Sequence, residues 1–224
     1  MKKAKYICFE GTEGVGKTTQ TQKLVDYLRS RGYSVLQTKE PGTPLEPLTM
    51  VLRGIMLDNQ YDKVLTKPAR EFISQAIRSI HLERVIVPAL KEYDFIVQDR
   101  GILSGYAYGK GCGNSWKDLY SMACQNVDSA DEGHDVFSLR PELIYDKVIY
   151  LRGNALSGLA KAKSAKQEFE TGDAIESRGN DFITNVSKNM EDMSSRFHTV
   201  RIDVDNKNIE QVHSEILNAL GLEK

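Results

Sequence analysis

The chain has 224 residues, 40% of them apolar and 27% charged, the make-up of an ordinary globular protein and enough for one large α/β domain. A net charge of −1 gives no general attraction to nucleic acid or to an anionic membrane, so neither is expected as a partner. Cys8, Cys112 and Cys124 are odd in number and widely spaced, which excludes a disulfide framework and metal-type spacing; with no long apolar run beside them, they predict reduced thiols in a cytoplasmic protein.

The first apolar run, Lys5 to Phe9, is continuous rather than alternating, as in a buried parallel strand. A helix over Thr19 to Arg31 follows, ended by Gly32, and a second strand over Tyr33 to Thr38. Lys39-Glu40-Pro41-Gly42-Thr43 is then a turn at a strand's carboxyl end, where open α/β sheets place ligands. A short helix spans Leu48 to Leu57, a polar loop Asp58 to Lys67, and a long helix Pro68 to Glu92, with a kink expected at Pro88. The third strand, Asp94 to Gln98, leads into Asp99-Arg100 and a glycine- and tyrosine-rich segment, Gly101 to Gly113. Asp118 to Val127 is predicted helical and Asp128 to Arg140 an acidic, irregular connection. A fourth strand over Lys147 to Leu151, a polar Lys-rich stretch over Asn154 to Asp173, a helix over Gly179 to Arg196, a fifth strand over Thr199 to Asp203 and a closing helix over Ile209 to Leu220 complete the chain. Strands alternating with helices predict a three-layer α/β/α fold on a five-stranded parallel sheet, as a single domain over residues 1–224.

The turn after the first strand carries the chemistry. Gly11 to Thr18 completes the pattern G-x-x-x-x-G-K-[ST], in its expected strand–turn–helix setting. Gly11, Gly14 and Gly16 let backbone amides point inward and, with the N-terminus of the next helix, form a nest for anionic oxygens. Lys17 adds a positive charge for the β- and γ-phosphates, and the Thr18 hydroxyl suits Mg²⁺, with Thr19 completing the loop. The cofactors implied are ATP and Mg²⁺. Asp99-Arg100 ends the neighbouring strand: the carboxylate can hold Mg²⁺ and the guanidinium can grip a phosphate. A surface ion pair at a strand end is the alternative for such a dipeptide; the phosphate loop on the neighbouring turn strengthens the functional reading. Arg53 and Arg78 lie on helices leaving strand ends near that crevice. Lys161, Lys163, Lys166 and Arg178 could be a solvated charge run or a cationic lid of about residues 153–178, given freedom by Gly153, Gly158 and Gly172.

These motifs, in this order, resemble those of the thymidylate kinases among the nucleoside monophosphate kinases. Phe9 to Gln20 looks like that family's phosphate loop, and Lys39-Glu40-Pro41-Gly42-Thr43 like its Arg-Glu-Pro-Gly-Gly-Thr turn. Leu52-Arg53, Ile77-Arg78-Ser79-Ile80-His81 and Ile86-Val87-Pro88-Ala89-Leu90 are similar to its next two helices. Asp99-Arg100, Ser104 and Ala107-Tyr108 resemble its Asp-Arg-Tyr-x-x-Ser-x-x-Ala-Tyr-Gln, and Arg140-Pro141-Glu142-Leu143 its Arg-Pro-Asp-Leu. The match is weakest from Gly109 to Val136 and from Arg152 onward. The resemblance implies transfer of the γ-phosphoryl of ATP to dTMP. Lys17 would bind the donor phosphates, and Arg53 and Arg100 the acceptor phosphate. Glu13 would face the acceptor sugar, Arg78 the base, and Asp99 would help organise Mg²⁺, with Glu40, Ser74, Ser104 and Tyr108 also on the substrate side. No arginine lies between Gly11 and Lys17, which fits the variant whose catalytic cations come from the lid: Lys161 and Lys163, with Arg178 as a further candidate. A homodimer pairing through helices is also implied.

The departures gather around the base. The stacking aromatic of the family is Ser74 here, the Tyr after Asp-Arg is Gly101, the Gln after Ala-Tyr is Gly109, and a small polar contact is Gly105. In the lid, Asp173-Ala174-Ile175-Glu176 has Ala in place of Arg, and the Asp usual after the fourth strand is Arg152. Losing a stacking ring forfeits roughly 1–3 kcal/mol per base. Either Phe72, Gln75, Tyr106 or Tyr108 refills the space and dTMP remains the substrate, or the acceptor is another monophosphate: dUMP, a base-modified dUMP or one with a bulkier base. Two rival functions stand beside these: a nucleoside kinase using Glu10 or Asp99 as base, and a nucleotide-binding regulator without turnover.

Overall fold

Five strands form one parallel sheet in the order β2-β3-β1-β4-β5: β1 Lys5–Glu10, β2 Val35–Lys39, β3 Phe95–Asp99, β4 Lys147–Arg152 and β5 Thr199–Asp203. The structure is a computed structural model that describes residues 4–131, 141–165, 174 and 176–223. Central β1 pairs with β3 (Phe9 opposite Asp99) and with β4 (Glu10 opposite Tyr150), so the phosphate loop and the Asp99-Arg100 turn leave the same end of the sheet side by side. β1 is covered on both faces, which explains its unbroken apolar run. Tyr6 and Cys8 join one core cluster with Leu82, Ile86, Leu90 and Tyr106. Ile7 and Phe9 join another with Leu24, Leu28, Ile149 and Ile216.

The helices are α1 Lys17–Ser30, α2 Pro47–Leu57, α3 Lys67–His81, α4 Val87–Glu92, α5 Ile102–Gly111, α6 Trp116–Asp131, α7 Ala155–Ala165, α8 Gly179–Ser194 and α9 Ile209–Ala219. Most elements fall within two residues of the sequence expectation, and the parallel three-layer α/β/α class matches. Four segments differ. The expected kink at Pro88 is a π-helical turn, Leu82–Ile86, that joins α3 to α4; the wider turn absorbs the disruption that a ring lacking an N–H brings to a helix. The Gly101–Gly113 segment is helical as α5 despite its glycines. Gly105, Gly109 and Gly111 each sit where a Cβ would run into a neighbouring side chain, so packing outweighs their poor helix propensity. The polar stretch from Asn154 begins as helix α7, opened by the Asn154 side chain accepting from the amides of Leu156 and Ser157. The connection expected over Asp128 to Arg140 is helical as far as Asp131, and its remainder lies outside the described residues. Arg140, Lys166, Gly172, Asp173 and Ile175 lie outside them too. No helix among the described residues is long and apolar enough to cross a membrane.

Candidate active site

A cleft of about 610 Å³ opens at the carboxyl ends of β1, β2 and β3. Its donor end is the loop between β1 and α1. Gly14 (φ 66°) and Gly16 (φ 93°) are left-handed, which turns successive amides toward the cleft. Gly14 has a second reason to be glycine: a Cβ there would lie 2.0 Å from the Gly158 carbonyl oxygen, because the first turns of α7 rest on the loop. Lys17 is buried and its Nζ donates to the Thr12 carbonyl. Burial, reinforced by the Arg100 charge, lowers its pKa to about 8. The exposed Thr18 hydroxyl donates to Asp99 Oδ2 at 2.6 Å, and Thr19 lines the cleft beside it. The two residues expected at the metal are thus in contact. They are hard oxygen donors and only two, a set that suits Mg²⁺, which keeps several waters and takes phosphate oxygens as its other ligands.

Arg100 ties the donor loop to the acceptor side. It is left-handed at φ 64°, a conformation that costs a non-glycine residue about 1–3 kcal/mol and tends to mark functional sites. Its backbone amide donates to the Phe9 carbonyl (2.8 Å). Its guanidinium donates to the Gly11 carbonyl (2.9 Å), Ser104 Oγ (3.2 Å) and Glu13 Oε1 (2.9 Å). The Tyr108 hydroxyl also donates to Glu13, at 2.6 Å, and the Arg100 guanidinium lies 5.3 Å from the Tyr108 ring centre. Burial pushes the Glu13 carboxyl up, but Arg100, Lys17 and the Tyr108 hydroxyl together hold it below its usual range. Glu10 lies behind this wall. It is fully buried and accepts from the amides of Gly101 (2.9 Å) and Ser104 (3.1 Å) and from the Ser104 hydroxyl. It anchors the start of α5 and does not line the cleft, so it cannot serve as a base toward a substrate hydroxyl.

The acceptor end is built from α2, α3 and α5. Arg53 Nη1 donates to the Pro41 carbonyl at 2.8 Å, which presents the guanidinium at the cleft. Arg78 is buried and pairs with Glu40 through Nε and Nη2, both at 3.0 Å. Glu40 Oε1 also meets His81 Nδ1 at 3.1 Å. Burial would push the Glu40 carboxyl up, but Arg78 and His81 hold it down. Glu40 therefore sits beneath Arg78 and orients it.

A Cβ on Gly101 would lie 2.2 Å from Tyr145 Oη, one on Gly105 2.4 Å from Arg78 Nη2, and one on Gly109 2.7 Å from a Leu119 methyl and 2.8 Å from Glu71 Oε2. The space these glycines leave is filled, though mostly not by the expected side chains. Phe72 is 61% exposed and Tyr106 packs in the core against Trp116 and Phe197; neither lines the cleft. Tyr108 does line it, and Gln75 is buried next to Arg78. Ser74 opens on the cleft, and Tyr108 is the one aromatic ring among its lining residues.

The family model for thymidylate kinase matches residues 9–216. The chain belongs to the thymidylate kinase family. A thymidylate kinase of Finegoldia magna is 28% identical over 96% of this chain and 97% of its own. One from Acinetobacter baylyi is 39% identical over 46% of this chain and half of its own. Among solved structures, a thymidylate kinase from Ehrlichia chaffeensis superposes with a TM-score of 0.67 over 97% of this chain and 98% of its own, at 22% identity, which shows the shared fold.

As a thymidylate kinase family member the chain is a nucleoside monophosphate kinase, a transferase, and its cleft has the two ends such a reaction requires. The cations expected in the lid are placed unequally. Lys161, on α7, is exposed and lines the cleft. Lys163 is on the same helix, with its side chain outside the described part. Arg178 is turned to the acceptor end instead: it pairs with Asp62 (3.3 Å), donates to Cys112 Sγ (3.2 Å) and stacks 5.4 Å from Phe182. Ala174, where the family carries Arg, is buried and donates its amide to the Leu57 carbonyl. Sequence reasoning missed Glu71. It is buried at the acceptor end and lines the cleft. The signal was present: Glu71, Ser74, Gln75 and Arg78 stand at i, i+3, i+4 and i+7, one face of α3.

Proposed function

We propose that this chain transfers the γ-phosphoryl of Mg·ATP to the 5′-phosphate of dTMP. The observation that supports this best is one cleft with a phosphate loop at one end and two guanidiniums, Arg53 and Arg100, facing it from the acceptor side. Two arginines suit an acceptor that is already a phosphate. Such an acceptor oxygen is anionic and needs no strong general base, so the residues present have only to position and neutralise charge. Lys17 would steady the β- and γ-phosphates. Arg100, already fixed by Gly11, Glu13 and Ser104, would hold the acceptor phosphate in line with Arg53. Glu13 would accept from the acceptor sugar's hydroxyl, and Tyr108 would close that side. Thr18 and Asp99 would hold Mg²⁺, which when bound neutralises charge on the β- and γ-oxygens. Lys161 and Lys163 would bring the lid's charge to the transferring group, within a lid of about residues 153–178.

A coupled ADP-release assay over all common NMPs and dNMPs tests the proposal. The expected result is highest kcat/KM with dTMP. Turnover on nucleosides but on no monophosphate would overturn it, as would ATP binding without any turnover. One observation favours a second reading, another deoxynucleoside monophosphate as acceptor: Ser74 stands where the family's ring would stack, and the polar side chains Glu71 and Asn114 line the cleft beside it. Best turnover with dUMP or a bulkier base would decide for that reading. We further propose a homodimer. Leu48, Val51 and Ile55 are exposed along one face of α2, a stripe fit to pair with a second copy; a monomeric mass by light scattering at micromolar concentration would overturn this.

A further inference from the structure

At the base end, five side chains form one polar chain, with Arg78, Glu71 and Asn114 lining the cleft and Gln75 and Asn126 behind them. Arg78 Nη1 donates to Gln75 Oε1 at 3.3 Å, and Asn126 Nδ2 donates to the same oxygen at 2.8 Å. With two donors on its oxygen, the Gln75 amide has its nitrogen turned the other way, where it donates to Glu71 Oε1 at 2.6 Å. Glu71 Oε2 accepts from Asn114 Nδ2 at 3.2 Å. A carboxylate has about four acceptor positions, and these contacts use two. Glu71 itself lines the cleft. Gly109 makes the arrangement possible, since a Cβ there would stand 2.8 Å from Glu71 Oε2. The wall therefore offers a fixed donor, Arg78, and a fixed acceptor, Glu71, held apart by one bridging amide.

We propose that Glu71 reads the edge of the acceptor base: its carboxylate accepts from a ring N–H while Arg78 donates to the adjacent carbonyl. A base with that lactam edge, such as uracil or thymine, satisfies both groups. Guanine carries the same edge on a larger ring. Cytosine and adenine present the reverse: a ring nitrogen lone pair against the carboxylate and an amino group against the guanidinium. A buried site that hydrogen-bonds its ligand discriminates strongly against one that leaves its groups unpaired. The absence of a stacking ring then matters less, because selection rests on the edge and not on the face.

This inference rests on the reading of the chain as a kinase of deoxynucleoside monophosphates. Its test is the kcat/KM ratio for dTMP over dCMP, with dUMP, dGMP and dAMP alongside, in the wild type, Glu71→Gln and Gly109→Ala. The expected wild-type result is a preference of at least 100-fold for dTMP over dCMP, with dAMP the poorer purine. In Glu71→Gln the amide can turn either its oxygen or its nitrogen to the base, so the ratio falls at least tenfold, carried by KM for the monophosphate. KM for ATP stays within about twofold. Gly109→Ala, which displaces the carboxylate without altering it, shifts the ratio in the same direction. A merely structural role for Glu71 would lower dTMP and dCMP turnover equally. An active wild type whose ratio is unchanged in both variants overturns the inference and leaves the kinase reading standing. A wild type without turnover on any monophosphate overturns both.

Discussion

The two ends of the cleft are built by different means. The donor end is contiguous: Gly11 to Thr19 supplies its amides, its cation and the Thr18 hydroxyl, and the fold has only to set a strand before it and a helix after it. The acceptor end is assembled from residues far apart, with Glu40 after β2, Arg53 on α2, Arg78 and Glu71 on α3, and Tyr108 on α5. The donor end uses backbone and can be recognised by residue type. The acceptor end uses side chains held by other side chains, and each of its residues depends on a partner elsewhere. A change at the donor end should therefore damage chemistry with the fold intact, whereas a change at the acceptor end should damage fold and specificity together.

The largest expected effect tests the acceptor half of this contrast. Glu40→Ala leaves Arg78 buried without its counter-charge, a loss of about 3–5 kcal/mol for a broken buried pair; thermal or denaturant unfolding measures it, and a stability loss under 1 kcal/mol would show that Arg78 does not depend on Glu40. Lys17→Ala is the donor-side counterpart. It should lower kcat by about 10²–10³, the cost of removing one preorganised group facing developing charge, with the melting temperature little changed. Arg100→Ala joins the two ends and should do both: at least a tenfold loss of kcat/KM, about 1.4 kcal/mol, with a measurable fall in stability. Near-wild-type kinetics in either variant would contradict the assigned role.

A pH profile sharpens the comparison further. The Lys17 pKa is lowered to about 8 in the free protein, so its charge is present below that pH and lost above it. The kcat/KM for ATP should fall above about pH 8, approaching tenfold per unit. Bound phosphates favour the charged form, so kcat should fall only at higher pH. A profile for kcat/KM flat to pH 9.5 would remove Lys17 from phosphate binding. The smallest effect is expected at Arg178. Its pair with the half-buried Asp62 is only partly shielded from solvent, so Arg178→Ala should cost under 1 kcal/mol of stability and less than threefold in kcat, whereas Lys161→Ala should cost more in kcat and nothing in stability.

The same contrast explains what was legible in the sequence. The phosphate loop, Asp99 and Arg100 could be read directly, because each sits at a strand end where position along the chain fixes position in the site. The parallel sheet between two helix layers followed from five apolar runs separated by helices. Gly101, Gly105 and Gly109 read as losses, and in the fold they are places where Tyr145, Arg78, Leu119 and Glu71 come in. Nothing local to a glycine names the distant side chain that will occupy its space, so a hole in the sequence gave no hole in the structure. Helix α5 was hidden for the same reason: its glycines are answered from α3, α6 and α8. Glu71 could have been found from the helical spacing it shares with Arg78, but the carboxylate gains its meaning only from Gln75 and Asn114 beside it.

The contact between Gly14 and Gly158 sets how closely the start of α7 lies on the phosphate loop. A Cβ on either glycine would collide with the backbone of the other segment, and Ala155 and Leu159 pack α7 against Ile183, Val186 and Met190 of α8. Lys161 stands three residues beyond Gly158, about 4.5 Å along a helix axis. With its Cα held so near a backbone contact, the reach of that lysine into the cleft is decided by the rotamers of its long side chain. A larger residue at either glycine would lift the helix from the loop and carry the cation away with it.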